Sequence, residues 1–242
     1  MSEPYDPDNV LDRLSRADTL ELHYEQERRR ERELRERRLP LPGGDVLSVG
    51  CGWHPGRHLF PKPAFRMTGV ELDEAVVSVL EQGGEIDHGL AGRAGELSLP
   101  DASFDVVLYR LVLHHIAYQG SLAPVFDEAR RLLRPGGALV AVEPGSWHPV
   151  GAALGAANRA GLGPLMHGTP DDVPLSPRRL EREARAAGLE PELHTVTYGW
   201  RRLPAPLQRA LHVLDPLGSR RRLAPFGHTL MLIARNGSAE RR

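Results

Sequence analysis

Gly50 and Gly52, in the stretch VLSVGCGWHPGRHLFPKP (46–63), are followed about 20 residues on by Glu71. These residue types, in this order, can hold a cofactor that carries a ribose. Two glycines directly after an apolar run let the backbone turn sharply and let a ligand approach where a Cβ would otherwise stand. A carboxylate closing the next apolar run can accept hydrogen bonds from both ribose hydroxyls. A tight turn and a surface glutamate are the plain alternatives. The sequence strand, Gly-x-Gly, strand, acid favours the ribose role. A nicotinamide-dehydrogenase fingerprint fits less well. Its third glycine comes late, at Gly56, and Pro61 and Pro63 break the helix that would point at a pyrophosphate.

A second group of residues can move protons. His114 and His115 follow an apolar run, His148 and His167 lie in a Gly/Ala/Pro-rich stretch, and Glu143 closes another apolar run, where a satisfied structural acid is the alternative. Tyr109 and Tyr118 are further polar candidates. No triad or carboxylate pair selects one base. His115 is the first candidate and His148 the second, with a core or capping role the alternative for at least one member of the His114–His115 pair. His54 and His58 have i,i+4 spacing near Cys51, but the prolines disrupt that helix and no further ligand stands close by, so loop structure is expected and no metal site. Cys51 is the only cysteine, which excludes an intramolecular disulfide.

The elements that must position these residues alternate between strand and helix. DVLSVG, RMTGVEL, EIDHGLAG, SFDVVLYRL and ALVAVEP read as successive strands. Helices are expected at about 55–60, over DEAVVSVLEQ with Asp73 as cap, and from about Ser121 to Leu133, the last stopping at RPGG (134–137). Such repeated units predict a doubly wound, largely parallel sheet with helices on both faces. Residues 145–175 break the rhythm. An insertion after a strand's carboxyl end is placed to act as a lid, with GAALGAANRA as one helix. Ser176-Pro177 then opens a further helix ended by Gly188, and ELHTVTYGW and HTLMLIAR read as closing strands around a Pro-broken helical segment near 204–217. Residues 8–38 predict a very polar surface helix or helix pair, with a sparse stripe of Val10, Leu11, Leu14, Leu22 and Leu34. Its i,i+4 pairs are Glu25–Arg29, Glu31–Arg35 and Glu33–Arg37. The expected organisation is an N-terminal cap or arm over 1–43 and one α/β domain over 44–242.

The chain has 242 residues, is 40% hydrophobic and carries a formal net charge of −1, so no global field attracts nucleic acid or an anionic membrane. The arginine clusters at 28–30 and 220–222 read as solvated surface. MSEPYDPDNV has neither a basic start nor an apolar core, so no signal peptide is expected, and no apolar run is long enough to span a membrane. A cytoplasmic monomer or homodimer is the expectation. Lys62 is the only lysine, which with abundant Ala, Gly and Pro suggests a GC-rich bacterial genome.

VLSVGCG (46–52), TGVELD (68–73), LPDASFDVVLYRLVLHHI (99–116) and EARRLLRPGGALVAVEP (128–144) together resemble the class I S-adenosylmethionine-dependent methyltransferases. The resemblance implies a Rossmann-like seven-stranded sheet, mostly parallel with the last strand antiparallel. It implies S-adenosylmethionine held around Ser48, Gly50, Cys51, Gly52, Trp53, Glu71, Leu72, Arg93, Ala94 and Arg110. It also implies methyl transfer to O or N of a small-molecule acceptor, for example in secondary metabolism. Three departures stand out. Ser48 replaces an acid that anchors the loop or the donor's amino-acid end, Arg93 replaces an aspartate that accepts from adenine, and Pro61 and Pro63 shorten the first helix. Either the loop is rebuilt, with Trp53, His54 and Arg57 supplying contacts, or the donor site has decayed and the scaffold serves a non-methylating cyclisation, rearrangement or binding role.

Overall fold

The computed structural model describes residues 16–167 and 173–237, apart from the side chains of Pro164 and His167. Val10, Leu11 and Leu14, the imidazole of His167 and the tail from residue 238 lie outside what it describes.

Seven strands form one sheet: β1 (Gly44–Val49), β2 (Phe65–Glu71), β3 (His88–Ala91), β4 (Phe104–Arg110), β5 (Leu133–Pro144), β6 (Glu190–Thr197) and β7 (Thr229–Arg235). Their order is β3-β2-β1-β4-β5-β7-β6, and β7 runs antiparallel to both β5 and β6. This is the Rossmann-like architecture that the resemblance implied. The helices are α1 (Ala17–Arg38), α2 (Glu74–Gln82), α3 (Leu113–Gln119), α4 (Ala123–Leu132), α5 (Pro149–Arg159), α6 (Gly163–His167), α7 (Pro177–Ala186) and α8 (Ala205–His212).

Both faces of the sheet are covered, which is why the central strands are apolar at consecutive positions. On one face Leu47, Val107, Tyr109 and Leu139 pack with Phe126 and Leu132 of α4 and Leu180 of α7. On the other, Val46, Val106, Leu108 and Val140 pack with Leu34 of α1, Val77 and Leu80 of α2, and Phe60. Local chemistry sets the helix ends. The Asp73 carboxylate accepts from Ala75 N at 2.9 Å to open α2, and Gly188, at φ +80°, ends the turn after α7.

Several expectations need correction. Residues 55–60 form turns, not a helix. Arg57 staples this loop by donating to the carbonyls of Glu85 and Phe65 (2.8 and 3.1 Å) and pairing with Asp87 at 2.7 Å, so its guanidinium is committed to the loop and not to a ligand. The helix before RPGG stops there as expected, at Leu132, but RPGG itself lies inside the 12-residue β5, which begins at Leu133 instead of Ala138. The polar helix α1 is not solvated all round. Glu27, Arg30, Glu31 and Arg35 are buried. Glu31 turns away from Arg35, which instead lies over the Phe65 ring at 4.6 Å and donates to Leu41 O at 3.1 Å. Glu33 pairs with Arg29 and Arg30, both at 3.1 Å. Arg30, expected on the surface, reaches the Ser219 hydroxyl at 3.2 Å.

Candidate active site

The glycine loop sits at the carboxyl edge of β1. A Cβ on Gly50, at φ +62°, would come within 2.3 Å of Val112 Cγ2, so this glycine is required by packing. Gly52, at φ +46°, is different: a Cβ there would meet nothing within 4 Å. The missing side chain therefore leaves open room beside the loop, as close approach of a ligand to backbone demands. Gly52 N donates to Glu71 Oε2 at 3.0 Å and Leu72 N to Oε1 at 2.8 Å. Glu71 thus clamps the loop to the end of β2, and each oxygen keeps a lone pair for another donor. Trp53, 61% exposed, and Leu72 flank this mouth. Ser48 is buried inside β1, in register with Gly69 and Leu108. Arg93 is exposed and Ala94 half-buried on the loop after β3, which Gly92 N ties to Glu71 O at 2.9 Å. Glu128 of α4 holds the same loop through Gly95 N and Leu97 N, at 2.6 and 2.5 Å.

Burial, reinforced by the Glu71 charge, pushes the Cys51 thiol up to about 12. The residue is structural here, since a thiol is nucleophilic only as thiolate. In the folded protein at pH 8, alkylation by iodoacetamide should run on the order of 1,000-fold slower than for an unfolded control. Mass spectrometry of a time course checks this, and comparable rates would show an open thiol.

A network that the sequence did not disclose lies beside the loop. Glu31 of α1, 0% exposed, receives Arg110 from the end of β4 through Nε at 3.2 Å and Nη2 at 3.0 Å, and meets His58 Nε2 at 2.5 Å. One carboxylate therefore joins the N-terminal helix, the glycine loop and β4. Arg110, expected among the donor contacts, is engaged here. Leu111 follows at φ +56°, a left-handed conformation that non-glycine residues adopt at a cost of order 1–3 kcal/mol and that clusters at functional sites.

On the acceptor side, Glu143 ends β5 fully buried. It accepts from Val112 N (3.0 Å), Leu113 N (2.8 Å) and His114 Nδ1 (2.6 Å), so it caps α3 and orients the imidazole. The His115 ring lies against that of His114, tilted by 39° with centroids 4.0 Å apart. His114 also lines a cavity of about 540 Å³, together with Tyr118, Ser146, Arg159, Leu175 and Arg179. Tyr109 is not available for chemistry, being buried with its hydroxyl on Val125 O at 3.3 Å. His148 caps α5, its Nδ1 accepting from Val150 N at 3.3 Å, and its ring meets His228 edge-on at 5.2 Å. Burial lowers His148, and it pushes His228 down to about 3, with the neighbouring His23 adding to the shift. The sheet edge thus gathers Gly50, Cys51, Gly52, Trp53, Glu71 and Leu72 at one mouth. His114 and His115 lie at the end of β4, while His148 falls in a separate cluster with His228.

The family model described as a methyltransferase domain matches residues 47–141. A probable S-adenosylmethionine-dependent methyltransferase of Mycolicibacterium smegmatis is 35% identical over 159 residues, 64% of this chain and 52% of that protein. The ubiquinone biosynthesis O-methyltransferase of Thiobacillus denitrificans is 31% identical over 170 residues, 66% of this chain and 71% of that protein. The chain belongs to the S-adenosylmethionine-dependent methyltransferases. The chain spans only about half the length of the mycobacterial relative. In fold, the chain resembles a Thermotoga maritima protein described as a possible histamine N-methyltransferase, with a TM-score of 0.62 at 17% identity over 90% of this chain and 91% of the other. The cofactor of this family is S-adenosylmethionine, and the open flank of Gly52 beside the Glu71 carboxylate fits a methyltransferase's donor. Among the described residues no helix is long and apolar enough to cross a membrane.

Proposed function

We propose that this chain methylates an oxygen or nitrogen of a small-molecule acceptor, for example in bacterial secondary metabolism. The observation that carries the reading is the pairing of Gly52, whose flank is open, with Glu71, whose carboxylate already holds the loop from the ribose side. When bound, S-adenosylmethionine supplies a methyl group on a sulfonium centre. Glu71 accepts from the ribose hydroxyls, and Gly50, Cys51 and Gly52 offer backbone against the donor. Ala94 and Arg93 offer backbone on the adenine side, because a guanidinium has no acceptor for the adenine amino group. Trp53, exposed at the rim of the mouth, packs against the bound donor and shields it from water.

The acceptor enters the cavity lined by His114, Tyr118 and Arg159. Methyl transfer needs the nucleophile held in line and water excluded, so positioning carries much of the rate. Where the acceptor arrives protonated, an imidazole of the His114–His115 pair takes the proton. His115 is the proposed base, and Glu143 on His114 Nδ1 fixes the pair.

A non-methylating activity on the same scaffold is the second reading. It is favoured by uncharged Ser48 and by the absence of a helix over residues 55–60. Calorimetric titration with S-adenosylmethionine and S-adenosylhomocysteine separates the two. Micromolar binding, near ~−8 kcal/mol, is expected. If neither ligand binds the folded chain, methyl transfer fails and the second reading stands.

A further inference from the structure

Away from the donor loop, α1 and β7 bring together three metal-ligating side chains. His23 and Glu27 stand one turn apart on α1, and His228 immediately precedes β7. One ligand atom from each lies within 4.8 Å of the other two. His23 is 3.3 Å from Glu27 Oε1 through Nε2, the separation that neighbouring ligands of a tetrahedral ion have when bound at ~2.0–2.1 Å. The His23 and His228 rings meet edge-on, 5.9 Å between centroids.

Two further observations bear on this cluster. His23 is 2% exposed and, among the described residues, its Nδ1 has no hydrogen-bond partner, so the ring is held at its polar end through the Nε2 that faces Glu27. Thr229 donates its hydroxyl to Glu27 Oε1 at 2.5 Å, the kind of outer contact that orients a ligating carboxylate. The nearest arginines are engaged elsewhere: Arg110 with Glu31, and Arg201 with the Tyr24 hydroxyl at 3.0 Å.

We propose that His23, Glu27 and His228 bind one divalent first-row transition ion of the Zn²⁺ or Co²⁺ kind. Two imidazoles and one carboxylate suit such ions, whereas Mg²⁺ and Ca²⁺ prefer all-oxygen sets. Closing the site asks mainly for a rotation of the side chain of His228, the half-buried member of the three, since its backbone is held by N donating to Thr197 O and O accepting from Gly145 N, both at 2.8 Å. Three protein ligands leave a coordination position open. His148, whose ring meets His228 edge-on at 5.2 Å, is one side chain that would fill it or hold a water there. The ion would tie the N-terminal helix to the carboxyl edge of the sheet, and it does not depend on the methyl-transfer reading.

The test uses the full chain, free of any affinity tag and stripped with chelator, titrated with Co²⁺ and followed by visible absorption and calorimetry. One equivalent should bind, with a d–d band that Zn²⁺ displaces and Mg²⁺ does not. His228→Ala and Glu27→Gln should each weaken Co²⁺ binding at least 10-fold, while His54→Ala, at an exposed loop histidine, leaves it unchanged. Should Glu27→Gln fail to fold by circular dichroism, His228→Ala decides. Binding weaker than about millimolar in the parent, or equal in the parent and His228→Ala, overturns the site.

Discussion

Glu71→Ala should weaken S-adenosylmethionine binding by about 100-fold or more. Two hydrogen bonds to a charged acceptor are lost, each worth about 1.5–3 kcal/mol, and about 3 kcal/mol corresponds to roughly 100-fold in Kd. The same change frees Gly52 N and Leu72 N, now held at 3.0 and 2.8 Å, so the loop loses its clamp as well as its ribose acceptor. Glu71→Gln keeps one oxygen acceptor and should fall between parent and alanine variant. Both groups lie at a strand end near solvent, so the melting temperature should move little, which separates a binding defect from a folding one. Calorimetry reads the effect. An alanine variant within threefold of the parent would remove Glu71 from the donor site.

Glu31→Ala should destabilise the fold by about 3–5 kcal/mol, because it leaves the buried Arg110 guanidinium without its anion. Removing both partners, as in Glu31→Ala with Arg110→Met, should recover part of that loss, since an uncompensated charge costs more than a missing pair. Denaturant melts of the single and double variants check the order, and a double variant no better than the single would refute the uncompensated-charge account. The network also has an acid signature. Burial alone would raise the Glu31 carboxyl, but the Arg110 charge and the His58 hydrogen bond outweigh it and hold it below its usual value of 4.5. A carboxyl depressed in the folded state stabilises above its unfolded value and loses that contribution as pH falls through the folded one. The parent should therefore lose stability below about pH 4.5 more steeply than Glu31→Gln.

What could be read from sequence was whatever depends on near neighbours. β1 and β4 carry short apolar runs (Val46-Leu47 and Val106 to Tyr109), β2 is a mixed strand that closes on Val70-Glu71, and Gly50, Gly52 and Glu71 follow from strand, turn and strand end. The helix α3 was not legible, since LVLHHI continues an apolar run as a strand would. Its start is set by Glu143, about 30 residues away in the chain. Helix α1 reads as solvated because its inward face is charged, and its counter-ion Arg110 is 79 residues distant. Arg57 looked available for a ligand for the same reason: its partner Asp87 is 30 residues on. Charge pairs made across the fold leave no periodicity to detect.

The inward face of α1 carries a further consequence. His23, Glu27, Arg30, Glu31 and Arg35 fill most of it, with Leu34 the principal apolar contact. Heat capacity of unfolding comes from apolar surface, and polar surface offsets it. Lifting this helix off the sheet would expose that charge together with the apolar face beneath Leu34, so the event should absorb less heat capacity per residue than the loss of a wholly apolar contact. Amide exchange along residues 17–38 would see it directly. As temperature rises, the hydration lost on burying charges becomes less favourable, so warming should hold the helix down more firmly relative to the apolar core beneath it.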